Sequence, residues 1–124
     1  MIFKENNKAI YLQIADKICD DILTGHFLAG ARIPSVREYA ASLEVNANTV
    51  MRSYEYLERL GVIFNRRGIG FFIADAARDV IVNERKQTFL NGEMKYLFHQ
   101  LMLLGISPEE AKTMYENYLK ENNK

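Results

Sequence analysis

The sequence holds one cysteine, two prolines and no surplus of either charge, with 16 Lys+Arg against 16 Asp+Glu in 124 residues. Cys19 alone cannot close an internal disulfide, which fits a reducing compartment. No stretch approaches the roughly 18 to 20 uninterrupted apolar residues that a membrane-spanning helix needs. The start, Met1 to Lys8, carries charges and amides where a signal peptide would place its apolar segment. A cytoplasmic location without a membrane partner is therefore expected. Scarce Pro and Gly, together with 48% hydrophobic residues, seven Phe and seven Tyr, exclude disorder. The length allows one compact domain, or a small domain with a helical appendage. Zero net charge weighs against nucleic acid as a partner, because a strongly basic balance is the usual footprint of such binders. Local charge has to decide.

Ile10, Ile14, Ile18 and Ile22 recur every four positions with Tyr11, Ala15 and Cys19 beside them, and Gly25 follows as a stop. This predicts an amphipathic helix from Ile10 to Leu23. Its outer face holds Asp16, Asp20 and Asp21 against Lys17, so it would repel phosphate and should sit away from any nucleic acid. After Ile33-Pro34, the run Ser35-Val36-Arg37-Glu38 has the spacing of a capping box and predicts a second helix from about Val36 to Leu43. A tight link at Glu44-Val45 leads to Asn46-Ala47-Asn48-Thr49, whose side chains can cap a third helix ending near Leu60, with Gly61 just past its end. Val50, Tyr54 and Leu57 form the inward stripe of that helix. Two helices joined by so short a turn make a helix-turn-helix candidate.

Val62 to Asn65 and Gly70 to Ile73 are β-type runs separated by Arg66-Arg67-Gly68-Ile69, which reads as a hairpin with glycines at its tip. Arg32-Ile33 is a candidate third strand. Beyond Asp75 the composition turns to helix formers. One helix of about 28 residues from Ala76 to Leu104 would fit, with a break near Gly92 as the alternative. Leu90, Met94, Leu97, Leu101 and Leu104 step by four and three as a heptad seam, widened by Phe98 and Met102. Gly105 to Glu110 combines a stop, a Ser cap and Pro at the first helical position, so a last helix should run to about Leu119, with Glu121 to Lys124 frayed. The expected fold is mostly α with a small β-hairpin: a winged helix-turn-helix domain over residues 1–75, then a two-helix tail over 76–124. No repeat or low-complexity stretch is present.

From Ile33 to Ala74 the chain reads IPSVREYAASLEVNANTVMRSYEYLERLGVIFNRRGIGFFIA. This resembles the DNA-binding domain of the GntR family of bacterial transcription regulators, and with Ile10 to Ile18 the likeness spans about the first 75 residues. Asn46 to Val50, Ser53-Tyr54 and the short helical tail look most like the YtrA-like branch. That resemblance implies a dimeric regulator, a repressor, that lacks a large ligand-binding domain and pairs through its C-terminal helices. Ala47 stands where many relatives carry Arg, although the branch often has Pro there. Met51 stands where some carry a basic residue, and Phe71 where a small or hydroxyl residue is frequent.

A helix-turn-helix places the N-terminal residues of its second helix at base edges in the major groove. Here Asn46 to Tyr54 contain Arg52 and no acid, while Glu55 and Glu58 come only afterwards. Asn46 and Asn48 can each bond an adenine, Thr49 adds a hydroxyl, and the helix N-terminus favours phosphate. Arg37 is the Arg of the PSxR motif that relatives use on DNA. Arg66-Arg67-Gly68 puts two guanidinium groups on a turn suited to a narrow minor groove or to phosphate. The candidate DNA-binding set is Ser35, Arg37, Asn46, Asn48, Thr49, Arg52, Tyr54, Arg66, Arg67, Gly68 and Gly70. Bland readings stand beside these: Asn46 as a cap only, Arg52 paired with Glu55, Arg37 simply solvated, and the wing arginines keeping an edge soluble.

Between Arg32 and Ala74 six basic residues face four acidic ones, a net of plus two, so the overall zero hides segregation. If about four phosphates are neutralised per protomer of a dimer, the log-log salt slope should be about −7. Leu90, Met94, Leu97, Phe98, Leu101, Leu104, Met114 and Tyr118 are the candidate homodimer contacts, and two-fold symmetry then calls for a pseudo-palindromic site on double-stranded DNA. The alternative is a winged helix used as a protein-interaction module without specific DNA binding. No enzyme, metal or cofactor reading has support: His26 and His99 are isolated, Cys19 borders the apolar stripe, and Gly68-Ile69-Gly70 is not followed by Lys-Ser/Thr. No residue set identifies a small-molecule effector.

Overall fold

The computed structural model describes residues 8–123. The polar start, Met1 to Asn7, and Lys124 lie outside the described residues. The elements run α1 (Ile10–Leu23), α2 (Val36–Leu43), α3 (Ala47–Leu60), β1 (Ile63–Arg66), β2 (Gly70–Ile73), α4 (Ala77–Asn91), α5 (Glu93–Leu103) and α6 (Pro108–Asn122). The fold is thus mostly helical with one small antiparallel hairpin. Two compact units divide the chain, the first ending at Asn83 and the second beginning at Glu84.

In the first unit, Ile14, Ile18 and Ile22 of α1 meet Tyr39, Ala40 and Leu43 of α2, Val50, Tyr54 and Leu57 of α3, and Ile63 and Ile73 of the hairpin. Each fully buried aliphatic side chain contributes about 1.5–3 kcal/mol relative to exposure. Cys19 is buried in this core. Ile10, placed on the apolar stripe by its spacing, is 50% exposed, because the first turn of α1 runs past the core. The acidic face of α1 is partly neutralised: Lys17 pairs with Asp21 at 3.1 Å, and Lys8 pairs with Asp16. Ala77 and Ile81 of α4 are buried in the same core, so this unit continues past Asp75 into α4.

The caps follow the sequence. Ser35 Oγ accepts from the Glu38 N–H while Glu38 Oε1 accepts from the Ser35 N–H, both at 3.1 Å, which closes the capping box of α2. Between α2 and α3 the chain turns at Glu44, whose φ of 57° is left-handed, and Asn46 Oδ1 accepts from the Asn48 N–H at 2.8 Å to start α3. Gly61, at φ 87°, ends α3 in a conformation that a side chain would strain.

β1 and β2 pair in the register Ile63↔Ile73, Phe64↔Phe72, Asn65↔Phe71 and Arg66↔Gly70. Arg32 bridges Phe72 antiparallel, so the expected third strand exists as a single bridge. Arg66, read from the sequence as part of the turn, is instead the last residue of β1, and the turn is Arg67 to Ile69.

A single helix from Ala76 to Leu104 is not formed. Gly92, at φ −118° and ψ −89°, leaves helical geometry and separates α4 from α5. The heptad spacing therefore crosses a break, with Leu90 on α4 and the other seam residues from Met94 onward on or just after α5. The last helix continues three residues beyond Leu119 to Asn122, whose Nδ2 donates to the Tyr118 carbonyl at 2.9 Å, so Glu121 and Asn122 are helical and not frayed.

Candidate nucleic-acid interface

α3 is held by its inner side, which determines what its outer side can present. Tyr54 is 0% exposed; its hydroxyl donates to the Pro34 carbonyl at 2.7 Å, and its ring meets Phe71 edge-on at 5.0 Å. Ser53, also fully buried, donates to the Tyr11 carbonyl at 2.6 Å and lies 3.1 Å from the Thr49 carbonyl. Tyr54 thus ties α3 to the segment before α2 and to the hairpin, while Ser53 ties it to α1. Tyr54 is accordingly corrected from a DNA contact to an internal brace: a phenol without accessible surface cannot touch a duplex. Burial also pushes its phenol well above the usual tyrosine range.

The opposite side of α3 exposes Asn46, Asn48, Met51 and Arg52, with Thr49 half-buried. Asn46 spends its side-chain oxygen on the cap, which leaves its amide NH2 for other partners. The Arg52 guanidinium sits 4.2 Å from the centroid of the Tyr11 ring, a cation–π contact rather than the pairing with Glu55 that helical spacing suggested. Tyr11 is therefore a residue that sequence reasoning missed at this site; its place on the apolar stripe of α1 gave no hint that its ring would carry an arginine. Arg37 projects exposed from the first turn of α2, next to the capping box. Hydrogen bonds from Ser35, with a lesser effect of the Arg32 charge, hold the Glu38 carboxyl below the usual range, and Ser35 Oγ is committed to the cap.

The wing divides its two arginines. Phe64 and Phe72 stack with centroids 5.7 Å apart, and the Arg66 guanidinium lies 5.8 and 5.2 Å from those rings. Arg67 and Gly68 are exposed on the turn, where Gly68 has φ 78°. Arg66 is therefore pre-oriented along the hairpin face, and Arg67 is the tip. Together, α2, the start of α3 and the wing present Arg37, Asn46, Asn48, Arg52, Arg66 and Arg67, six exposed or ring-supported cationic and amide groups, on elements fixed by one core.

In the second unit the expected pairing residues are largely open: Leu97 is 47%, Phe98 54% and Leu104 70% exposed. Leu90, Met114 and Tyr118 are exposed too, whereas Met94 and Leu101 are half-buried. Among them runs an apolar groove of about 970 Å³, whose lining includes Phe89, Leu97, Phe98, Leu101, Met102 and Tyr115. His26 Nδ1 lies 2.7 Å from Thr24 Oγ1 in a local turn. Among the described residues no helix is long and apolar enough to cross a membrane.

A helix-turn-helix followed by a two-stranded wing defines a winged helix-turn-helix DNA-binding protein. The model of bacterial regulatory proteins of the gntR family matches residues 10–73. The chain is 42% identical over 106 residues to the uncharacterized HTH-type transcriptional regulator YhcF of Bacillus subtilis, covering 86% of both. It is 36% identical over 101 residues to the HTH-type transcriptional repressor YtrA of the same bacterium, covering 82% of this chain and 77% of that one. A crystal structure of a GntR-family regulator from Bacteroides thetaiotaomicron superimposes with a TM-score of 0.82 at 56% identity, over 91% of this chain and 98% of that one. The chain belongs to the GntR family: it is a winged helix-turn-helix transcription regulator and not an enzyme.

Proposed function

We propose that this regulator is a cytoplasmic repressor of the YtrA-like branch that binds a pseudo-palindromic operator as a homodimer. In this reading α3 enters the major groove with Asn46, Asn48 and Thr49 at base edges. Arg37 and Arg52 hold phosphates on either side, and Arg67 with Gly68 reaches the minor groove. The observation that carries it is the two-sidedness of α3: Ser53 and Tyr54 lock one side into the core, while the other side opens with amides and Arg52 and no acid before Glu55. The extent of the likeness to the repressor YtrA, beyond the winged helix alone, supports the branch and the repressor role.

The pairing reading rests on the apolar surface of the second unit, where Leu97, Phe98 and Leu104 stand open around a groove. Exposed apolar surface of that extent marks an interaction site, and two-fold pairing matches a palindromic target. Ending the chain at Asp75 would also strip Ala77 and Ile81 from the winged-helix core, so a surface substitution is the cleaner test. Phe98→Glu should sediment as a monomer; a dimer that persists would refute the C-terminal interface.

Enrichment of bound duplexes from a random pool tests the DNA reading. A two-fold symmetric motif is expected, and the Arg37→Ala plus Arg67→Ala double variant should lose it. Unchanged affinity and motif in the double variant would overturn the assigned interface. Absence of any enriched sequence from a protein that stays monomeric would point instead to a protein-interaction module.

A further inference from the structure

Arg32 precedes the helix-turn-helix, and neither the fold nor the family likeness assigns it a task. Its bridge to Phe72 is flanked by the Ile33 N–H donating to the Phe71 carbonyl at 3.0 Å and the Ile73 N–H donating to the Ala31 carbonyl at 2.9 Å. Arg32 and Phe72 are therefore a directly opposed, non-hydrogen-bonded pair whose side chains share one face of the sheet and stand close together. Two residues along β2 on that same face is Gly70. A Cβ at Gly70 would lie 2.8 Å from Arg32 Nε, 3.3 Å from its Nη2 and 3.4 Å from its Cζ. The guanidinium thus occupies the space that the missing side chain leaves, and the φ of 144° at Gly70 is itself one that a side chain would strain.

This seat carries the Arg32 charge along the sheet to the first residue of β2, where the wing turn ends. Across the hairpin from Gly70 stands Arg66, on the same face and over the Phe64 and Phe72 rings. Two guanidinium groups therefore flank one glycine. Among the described residues no carboxylate lies within ion-pair distance of either. The acid nearest in effect, Glu38, already accepts from the Ser35 N–H to close the α2 cap. Two like charges on one face of the sheet, with Glu38 acting on Arg32 only from beyond ion-pair distance, leave both guanidinium groups open to an external anion.

We propose that Arg32 is a phosphate-binding residue of the DNA interface, seated in the notch left by Gly70 and acting with Arg66 on the backbone beside the wing. This rests on the DNA-binding reading above. A phosphate contact carries charge but no sequence information, so its loss must lower the salt dependence and weaken every duplex alike.

The test is a salt titration of binding by wild type, Arg32→Gln and Arg32→Lys, each on a random-sequence duplex and on a duplex enriched from the pool. For Arg32→Gln the log-log slope should shrink by about 0.9 per protomer, with the same fold-loss on both duplexes. Arg32→Lys should retain the slope. An unchanged slope in Arg32→Gln overturns the proposal. So does a loss of affinity that follows a lowered melting temperature and is not mended by Lys, because that outcome marks a brace of the wing. If Arg37→Ala plus Arg67→Ala loses binding while Arg32→Gln behaves as wild type, the interface stands and Arg32 leaves it. If wild type enriches no duplex, both readings fall.

Discussion

Replacing Tyr54 by Phe separates an internal brace from a DNA contact. The substitution keeps the ring against Phe71 and Tyr39 and deletes one hydroxyl, whose bond to the Pro34 carbonyl is 2.7 Å long. The carbonyl loses its donor at a place where Tyr54 excludes water, which costs about 1–3 kcal/mol. For a unit that ends at Asn83, each kcal/mol lowers the melting temperature by about 4–8 °C. A fall of at least about 4 °C is therefore expected by circular dichroism. Well below the transition, duplex affinity and salt slope should match wild type, because no atom of Tyr54 reaches the surface. An unchanged melting temperature with weakened DNA binding would refute the reasoning and return the hydroxyl to the interface.

Two further substitutions probe the same core. Tyr39 is buried with a hydroxyl that finds no partner among the described residues, and burial, reinforced by the Asp21 charge, pushes its phenol up to about 12. A raised folded-state pKa means that stability is complete below the unfolded value near 10 and is lost progressively as pH rises from there to about 12. Tyr39→Phe should therefore match or exceed wild type at pH 7 and show a shallower loss of stability above pH 10; a steeper alkaline loss would contradict it. Ser53→Ala should cost about 0.5–1.5 kcal/mol in urea unfolding by deleting the bond that ties α3 to the Tyr11 carbonyl of α1, and a neutral result would refute that tie.

The elements most legible in the sequence are those defined by short-range chemistry. Ser35 with Glu38, Asn46 and Gly61 each act within one turn of chain, and the start of α2 and both ends of α3 follow from them. What the sequence could not convey depends on contacts across many residues. Helical spacing brings Arg52 to Glu55, yet the fold lays Arg52 on Tyr11, because α1 crosses α3 and an aromatic face competes well with an exposed ion pair. The same competition draws Arg66 over Phe64 and Phe72 and leaves Arg67 as the tip, although the two adjacent arginines look interchangeable in the chain. Tyr54 shows the converse: it sits in the motif that carries the family likeness, but its place on the Val50–Leu57 stripe already implied burial, and periodicity outranks motif membership when the two disagree. The tail was least legible. A heptad count does not register that one glycine leaves helical geometry, and exposed leucines on α5 acquire meaning only with a second surface to cover them. Sequence patterns therefore identify the scaffold that holds the cations, while the direction in which each cation points is decided by the nearest ring, glycine notch or free carboxylate that the fold happens to supply.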